Sequence, residues 1–129
     1  MNNKKIGIKK LIIGAVLVLA SSTGVFAMSY EEAKVQDKPV VVMFHMHGCS
    51  ACRKFSPIFD KYSARFSDKF NFVKEDIDSS KIAQTLGSQF DTVPAFFIIH
   101  PKTQNTKRIS DNCAWDSGCF SKTLQEYSP

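Results

Sequence analysis

Apolar residues fall in two arrangements along this chain, and the switch from one to the other outlines a fold. Val40 to Phe44 ("VVVMF") and Ala95 to Ile99 ("AFFII") are unbroken apolar runs, the pattern of strands buried on both faces in the middle of a sheet. "FNFVKEDID" predicts another strand, from Phe70 to about Asp76. Phe55, Ile58, Phe59, Tyr62 and Phe66 recur at three- and four-residue steps, which predicts an amphipathic helix from Ser50 to about Phe66. Pro57 lies inside it, removes one backbone hydrogen bond and is expected to kink it. "SSKIAQTLGSQF" predicts a helix capped by Ser79 or Ser80 and closed near Gly87. "SYEEAKVQDKP" reads as a short polar helix that stops before Pro39, and "TKRIS" as an edge strand after the turn "PKTQN". A "CAWDSGC" loop and a closing helix over "FSKTLQEY" complete the order α-β-α-β-α-β-β-α. The expected architecture is α/β, a mixed central β-sheet flanked by helices in a single domain, because a βαβ crossover makes its strands parallel and the last two strands form a hairpin.

The N-terminus follows a different rule. Lys4, Lys5, Lys9 and Lys10 precede the apolar stretch Leu11 to Ala20, and the small-residue segment "SSTGVFA" follows. Val25 and Ala27 suit a cut before Met28, so residues 1–27 read as a signal peptide and residues 28–129 as the exported domain. The alternative is an uncleaved anchor, but the apolar stretch is short against the roughly 20 residues a span requires. Removing the leader alters the charge. Of 17 basic residues four are leader lysines, which leaves 13 against 12 acidic ones. The basic pI is then a targeting feature and gives no support to nucleic-acid binding.

All four cysteines, Cys49, Cys52, Cys113 and Cys119, lie in the exported part, where disulfides are favoured over free thiols. Cys49 and Cys52 fall where a buried strand turns into a helix. Free amides and the helix dipole favour an anion there, and thiols in that setting can have pKa values of roughly 3.5–7.5. Cys49 is then the exposed nucleophile, and Cys52, one turn in, the resolving thiol. "HMHGCSAC" also offers His45 and His47 as imidazole donors beside two thiolates, with Met43 and Met46 nearby, a soft set suited to Cu(I) or zinc. Strand alternation sends Met43 and His45 to one face and Met46 to the other, which makes a closed metal site hard to build. Cys113 and Cys119 read as a structural disulfide tying the last helix to the sheet edge, with a second redox pair as the alternative. Trp115 between them reads as a partly buried loop anchor, or as a recognition residue.

The strand "VVVMF", then Cys49-Ser50-Ala51-Cys52, then Arg53 and Pro57, and "TVPAFFII" some forty residues on, together resemble the thioredoxin superfamily over about residues 38–110. The resemblance implies a thioredoxin-like fold, catalytic Cys49 and Cys52, and a cis Val93–Pro94 peptide where Val93 and Pro94 hold an extended substrate. Together with the leader, it implies an exported, Dsb-type thiol–disulfide oxidoreductase acting on protein thiols and disulfides in the periplasm. A membrane redox partner would reset the pair, and no cofactor or metal is expected beyond the Cys49–Cys52 disulfide. The departures bear on proton handling. Met43 stands where the family often has a buried carboxylate, Gly48 where it has an aromatic residue, and Lys74 where it has that carboxylate's lysine partner. His45 and Lys74 are the candidates for proton transfer. The competing readings are a copper-binding or delivery module on the same fold and a non-catalytic partner-binding domain with two structural disulfides.

Overall fold

Strand β1 (Val40–His45) is the axis of the domain. In the computed structural model, which describes residues 28–129, it lies between β2 (Asn71–Asp76), to which it is parallel, and β3 (Ala95–Ile99), to which it is antiparallel. Strand β4 (Thr106–Ile109) pairs antiparallel with β3, giving a four-stranded sheet of order β2-β1-β3-β4. The leader expected over residues 1–27, with its cut before Met28, lies outside the described residues.

Both unbroken apolar runs are buried along their whole length, as a sheet covered on both faces requires. Val41 and Met43 face one layer with Phe96 and Ile98, against Phe55, Phe59 and Tyr62 of α2 (Ser50–Phe66) and Phe120 and Leu124 of the last helix. Val40, Val42, Phe44, Phe97 and Ile99 face the other, against Tyr30 and Ala33 of α1 (Tyr30–Ala33) and Ala83 of α3 (Lys81–Thr85). Each buried Val, Leu, Ile, Met or Phe among them contributes about 1.5–3 kcal/mol relative to exposure. Aromatic rings make these layers tight: Phe55 lies on Phe96 at 4.5 Å and Tyr62 stacks on Phe120 at 4.1 Å, centroid to centroid.

Helix α2 runs unbroken from Ser50 to Phe66 with Pro57 inside it. Proline cannot donate to the Arg53 carbonyl, but the buried face on both sides of the gap holds the helix together. Helix α1 is shorter than its sequence pattern predicts. A capping box starts it, the Ser29 side chain accepting from the Glu32 N–H at 3.2 Å while the Glu32 carboxylate accepts from the Ser29 N–H at 3.1 Å. Beyond Ala33 there is nothing apolar to bury, since Val35 is 78% exposed, and Pro39 disfavours helix in the residue before it. Of the two candidate caps of α3, Ser80 is the one used, its Oγ accepting from the Ala83 N–H at 3.2 Å. A 3₁₀ turn, Gly87–Gln89, completes that segment.

The "CAWDSGC" segment is not the loop expected from its turn-forming residues. It is the end of a helix, α4 (Asp111–Trp115), joined to the start of another, α5 (Ser117–Tyr127). Each has its own cap: Ser110 Oγ accepts from the Cys113 N–H at 3.3 Å and Asp116 Oδ1 from the Cys119 N–H at 2.9 Å. Ala114 and Phe120 are fully buried beneath the junction, so packing favours helix where local composition suggested a turn. Phe120 links α5 to Tyr62 of α2 and to Phe96 of β3. Phe120→Ala should therefore lower unfolding free energy by about 3–5 kcal/mol, the usual cost of emptying a buried aromatic site. Urea denaturation followed by circular dichroism measures it.

Candidate active site

The C-terminal end of β1 delivers the chain to the chemistry. After His45 the backbone turns through Met46, His47 and Gly48, with the Cys49 N–H donating to the Met46 carbonyl at 3.3 Å. Gly48 has φ +82, in the left-handed region where a side chain costs conformational energy, which accounts for glycine here in place of an aromatic residue. Cys49 is the N-cap of α2, and its Sγ accepts from the Cys52 N–H at 3.1 Å. Cys49 and Cys52 form a disulfide with their Cα atoms 5.2 Å apart. Cys49 is half-buried, whereas Cys52 is 5% exposed. When the pair is reduced, the amide that donates to Cys49 and the dipole of α2 both favour a thiolate on that sulfur.

Val93, just before β3, comes to the same place. Its peptide bond to Pro94 is cis, and its carbonyl oxygen lies 3.8 Å from Cys49 Sγ. Two hollows flank this point. A cleft of about 370 Å³ runs past Met43, His45, His47, Cys52, Ser56 and Lys74. A second, mostly apolar groove of about 490 Å³, which shares Met46 with the cleft, is bordered by Ile77, Phe90 and Val93.

The sheet register explains the cleft. Met43 pairs with Lys74 and His45 with Asp76, so all four point to the face that α2 covers. Lys74 does not reach either cysteine. Its Nζ lies 2.6 Å from Ser56 Oγ and 2.8 Å from Asp60 Oδ1, both on α2. His45 is half-buried at the cleft mouth and makes no side-chain hydrogen bond among the described residues, and His47 is exposed. Among the described residues no group of three or more His, Cys, Asp or Glu side chains is placed to hold a metal ion. Ser56 and Asp60 were not among the candidate residues, although the spacing Cys52, Ser56, Asp60 already puts them on one helical stripe.

The second pair, Cys113 and Cys119, forms a disulfide with Cα atoms 5.1 Å apart that staples α4 to α5. Trp115 ends α4 and is 47% exposed, with its ring edge-on to Phe55 of α2 at 4.8 Å. It is a helix-end residue that touches the cysteine-bearing helix.

The thioredoxin family model matches residues 23–116, an interval containing both Cys49–Cys52 and the Val93–Pro94 turn. The chain belongs to the thioredoxin family. The thioredoxin-like protein HCF164, chloroplastic, of Arabidopsis thaliana is 40% identical over 60 residues, which is 46% of this chain and 23% of that protein. The chain thus spans about a quarter of the length of that relative. The thiol:disulfide interchange protein TxlA of Synechococcus elongatus is 27% identical over 79 residues, 60% of this chain and 41% of that one. The crystal structure of thioredoxin from Malassezia sympodialis superposes with a TM-score of 0.61 at 24% identity, covering 84% of this chain and 99% of that one, a likeness of fold.

The difference in burial between the two site cysteines has a direct readout. After full reduction and brief iodoacetamide treatment at neutral pH, Cys49 should alkylate at least about tenfold faster than Cys52, since the thiolate fraction and access set the rate. Peptide mass spectrometry of timed samples gives both rates.

Proposed function

We propose that this protein is an exported thiol–disulfide oxidoreductase that exchanges disulfides with protein substrates through Cys49 and Cys52. The observation that carries this reading is the placing of Cys49 Sγ at the N-terminus of α2, 3.8 Å from the backbone carbonyl of Val93. A substrate chain lying extended along Val93 gains backbone hydrogen bonds and brings its own sulfur to Cys49. The apolar groove beside Met46, Ile77 and Phe90 suits an apolar side chain of that substrate.

In the reducing direction the Cys49 thiolate attacks one sulfur of the substrate disulfide. That bond breaks, one substrate sulfur leaves as a thiolate and takes a proton, and a mixed disulfide forms. Cys52 then attacks Cys49, the substrate's second sulfur leaves, and the Cys49–Cys52 disulfide is restored, two electrons having passed to the substrate. The oxidising direction is the reverse. The relative named for thiol:disulfide interchange supports this chemistry. His45 and Lys74, the two candidates for proton handling, border the same cleft as Cys52, where water can carry the proton and a nearby charge can favour its loss.

The leader pattern over residues 1–27 supports export, with the periplasm as the compartment and a membrane protein as the partner that resets the pair. Electrons pass through the sulfurs, so no further cofactor enters the scheme.

Insulin reduction and refolding of a reduced disulfide protein test the activity in both directions. Cys49→Ser should fall to the uncatalysed rate in both assays. Cys52→Ser should accumulate a mixed disulfide with substrate, visible by mass spectrometry. If Cys49→Ser matches the parent protein in every thiol assay, the enzymatic reading is wrong. Expression of residues 1–129 in a bacterial host tests export: the periplasmic fraction should contain a protein beginning at Met28.

A further inference from the structure

Met43 leaves a gap in the chemistry of the buried cysteine. Cys52 must shed a proton before it can attack Cys49, and Met43, in the same core cluster, can neither give nor take one. The charged or titratable groups bordering the cleft are His45 and His47 from the end of β1 and its turn, Arg53 from α2, and Lys74 and Asp76 from β2. Arg53 is exposed. Asp76 stands one cross-strand pair further out, beside His45, and its Oδ1 is engaged by the Asp78 N–H at 2.8 Å.

Lys74 differs from the rest in being held by two side chains of the helix that carries Cys52. Ser56 Oγ and Asp60 Oδ1 accept from its ammonium at 2.6 Å and 2.8 Å. Cys52, Ser56 and Asp60 follow one another at four-residue steps and share one face of α2. At ~1.5 Å rise per residue, Ser56 lies about 6 Å and Asp60 about 12 Å along the helix from Cys52. The ammonium touches Ser56, the nearer of its two partners to Cys52 along the helix. The carboxylate is also better screened by water, its side chain being 65% exposed against 31% for Lys74.

We propose that Ser56 and Asp60 hold Lys74 as a fixed cation behind Cys52, and that this cation, in place of a carboxylate at position 43, stabilises the Cys52 thiolate. The assignment rests on the thiol–disulfide reading of the same site. In the step concerned, Cys52 loses its proton to water in the cleft and its thiolate attacks Cys49 Sγ of the mixed disulfide. The Cys49–substrate bond breaks, the Cys49–Cys52 bond forms, and the substrate sulfur departs with the electron pair and is protonated by water. Lys74 keeps its proton throughout and acts by its field. Ser56 and Asp60 are positioning residues.

The test titrates Cys52 alone. In a Cys49→Ser background, the rate of iodoacetamide alkylation is followed against pH and assigned to Cys52 by peptide mass, which separates it from Cys113 and Cys119. Lys74→Met should raise the apparent pKa of Cys52 by about one unit, a tenfold loss of thiolate at any pH below both values. Lys74→Arg and Ser56→Thr should keep the parent curve, and Ser56→Ala should shift it in the same direction by less. Circular dichroism checks the fold, with Lys74→Gln replacing Lys74→Met if the latter does not fold. An unchanged curve on removing the cation from a folded protein overturns the proposal. A shift with Lys74→Met but none with Ser56→Ala overturns the positioning role of Ser56. The titration needs no substrate, so a protein inactive in thiol assays that still shows the predicted shifts would refute the enzymatic reading and leave the electrostatic one standing.

Discussion

Strand β1 is hydrogen-bonded on both edges and buried on both faces, and the position of every chemical group follows from that. A strand with no free edge and no free face cannot shift its register without moving both core layers at once. Its C-terminal end is therefore a fixed point, and the turn at Gly48 starts α2 from it with Cys49 as the cap. The parallel register to β2 sets Lys74 beside Met43, and the antiparallel register to β3 brings the Val93–Pro94 turn to the same end of the sheet. Three segments distant in sequence thus meet at one end of the sheet because they share one neighbour.

The electrostatics of the site divide between its two cysteines. Cys49 is served by local structure: a helix N-terminus and the amide of Cys52 supply partial positive charge wherever such a cap forms. Cys52, still in the first turn but buried, is further from that end, so its environment depends more on what the sheet presents to that face. There the sheet presents a thioether, Met43, and a tethered ammonium, Lys74. Lys74 is satisfied by α2 itself, through Ser56 and Asp60, and in this way the helix that carries the cysteines also carries the anchors for the charge beneath them.

The C-terminal part of the domain is stabilised by different means. Helix α4 is a single short segment that could not persist alone. It is held by the Ser110 cap, by buried Ala114, by the disulfide to α5 and by the contact of Trp115 with Phe55. The stapled pair of helices covers the end of the apolar layer that includes Cys52 and leaves Trp115 half in solvent on the flank of α2.

Whatever depended on contiguous residues could be read from the chain itself. The runs Val40–Phe44 and Ala95–Ile99, the stripe from Phe55 to Phe66 and the Cys49–Cys52 spacing each predict an element or a pair, because apolar periodicity and helix-start chemistry act over a few residues. What failed were elements whose length depends on distant partners. Helix α1 stops where there is no core left to bury, and Cys113–Cys119 became two capped helices because Ala114 and Phe120 sit over the core. The site was half readable: the cysteines and the Val93–Pro94 turn carry local signatures, whereas the partners of Lys74 lie on another element and depend on the β1–β2 register. Sequence determined the local preferences and the reactive groups. The tertiary structure decided which charge faces which sulfur, because that depends on how separate elements pack, and no short-range pattern encodes it.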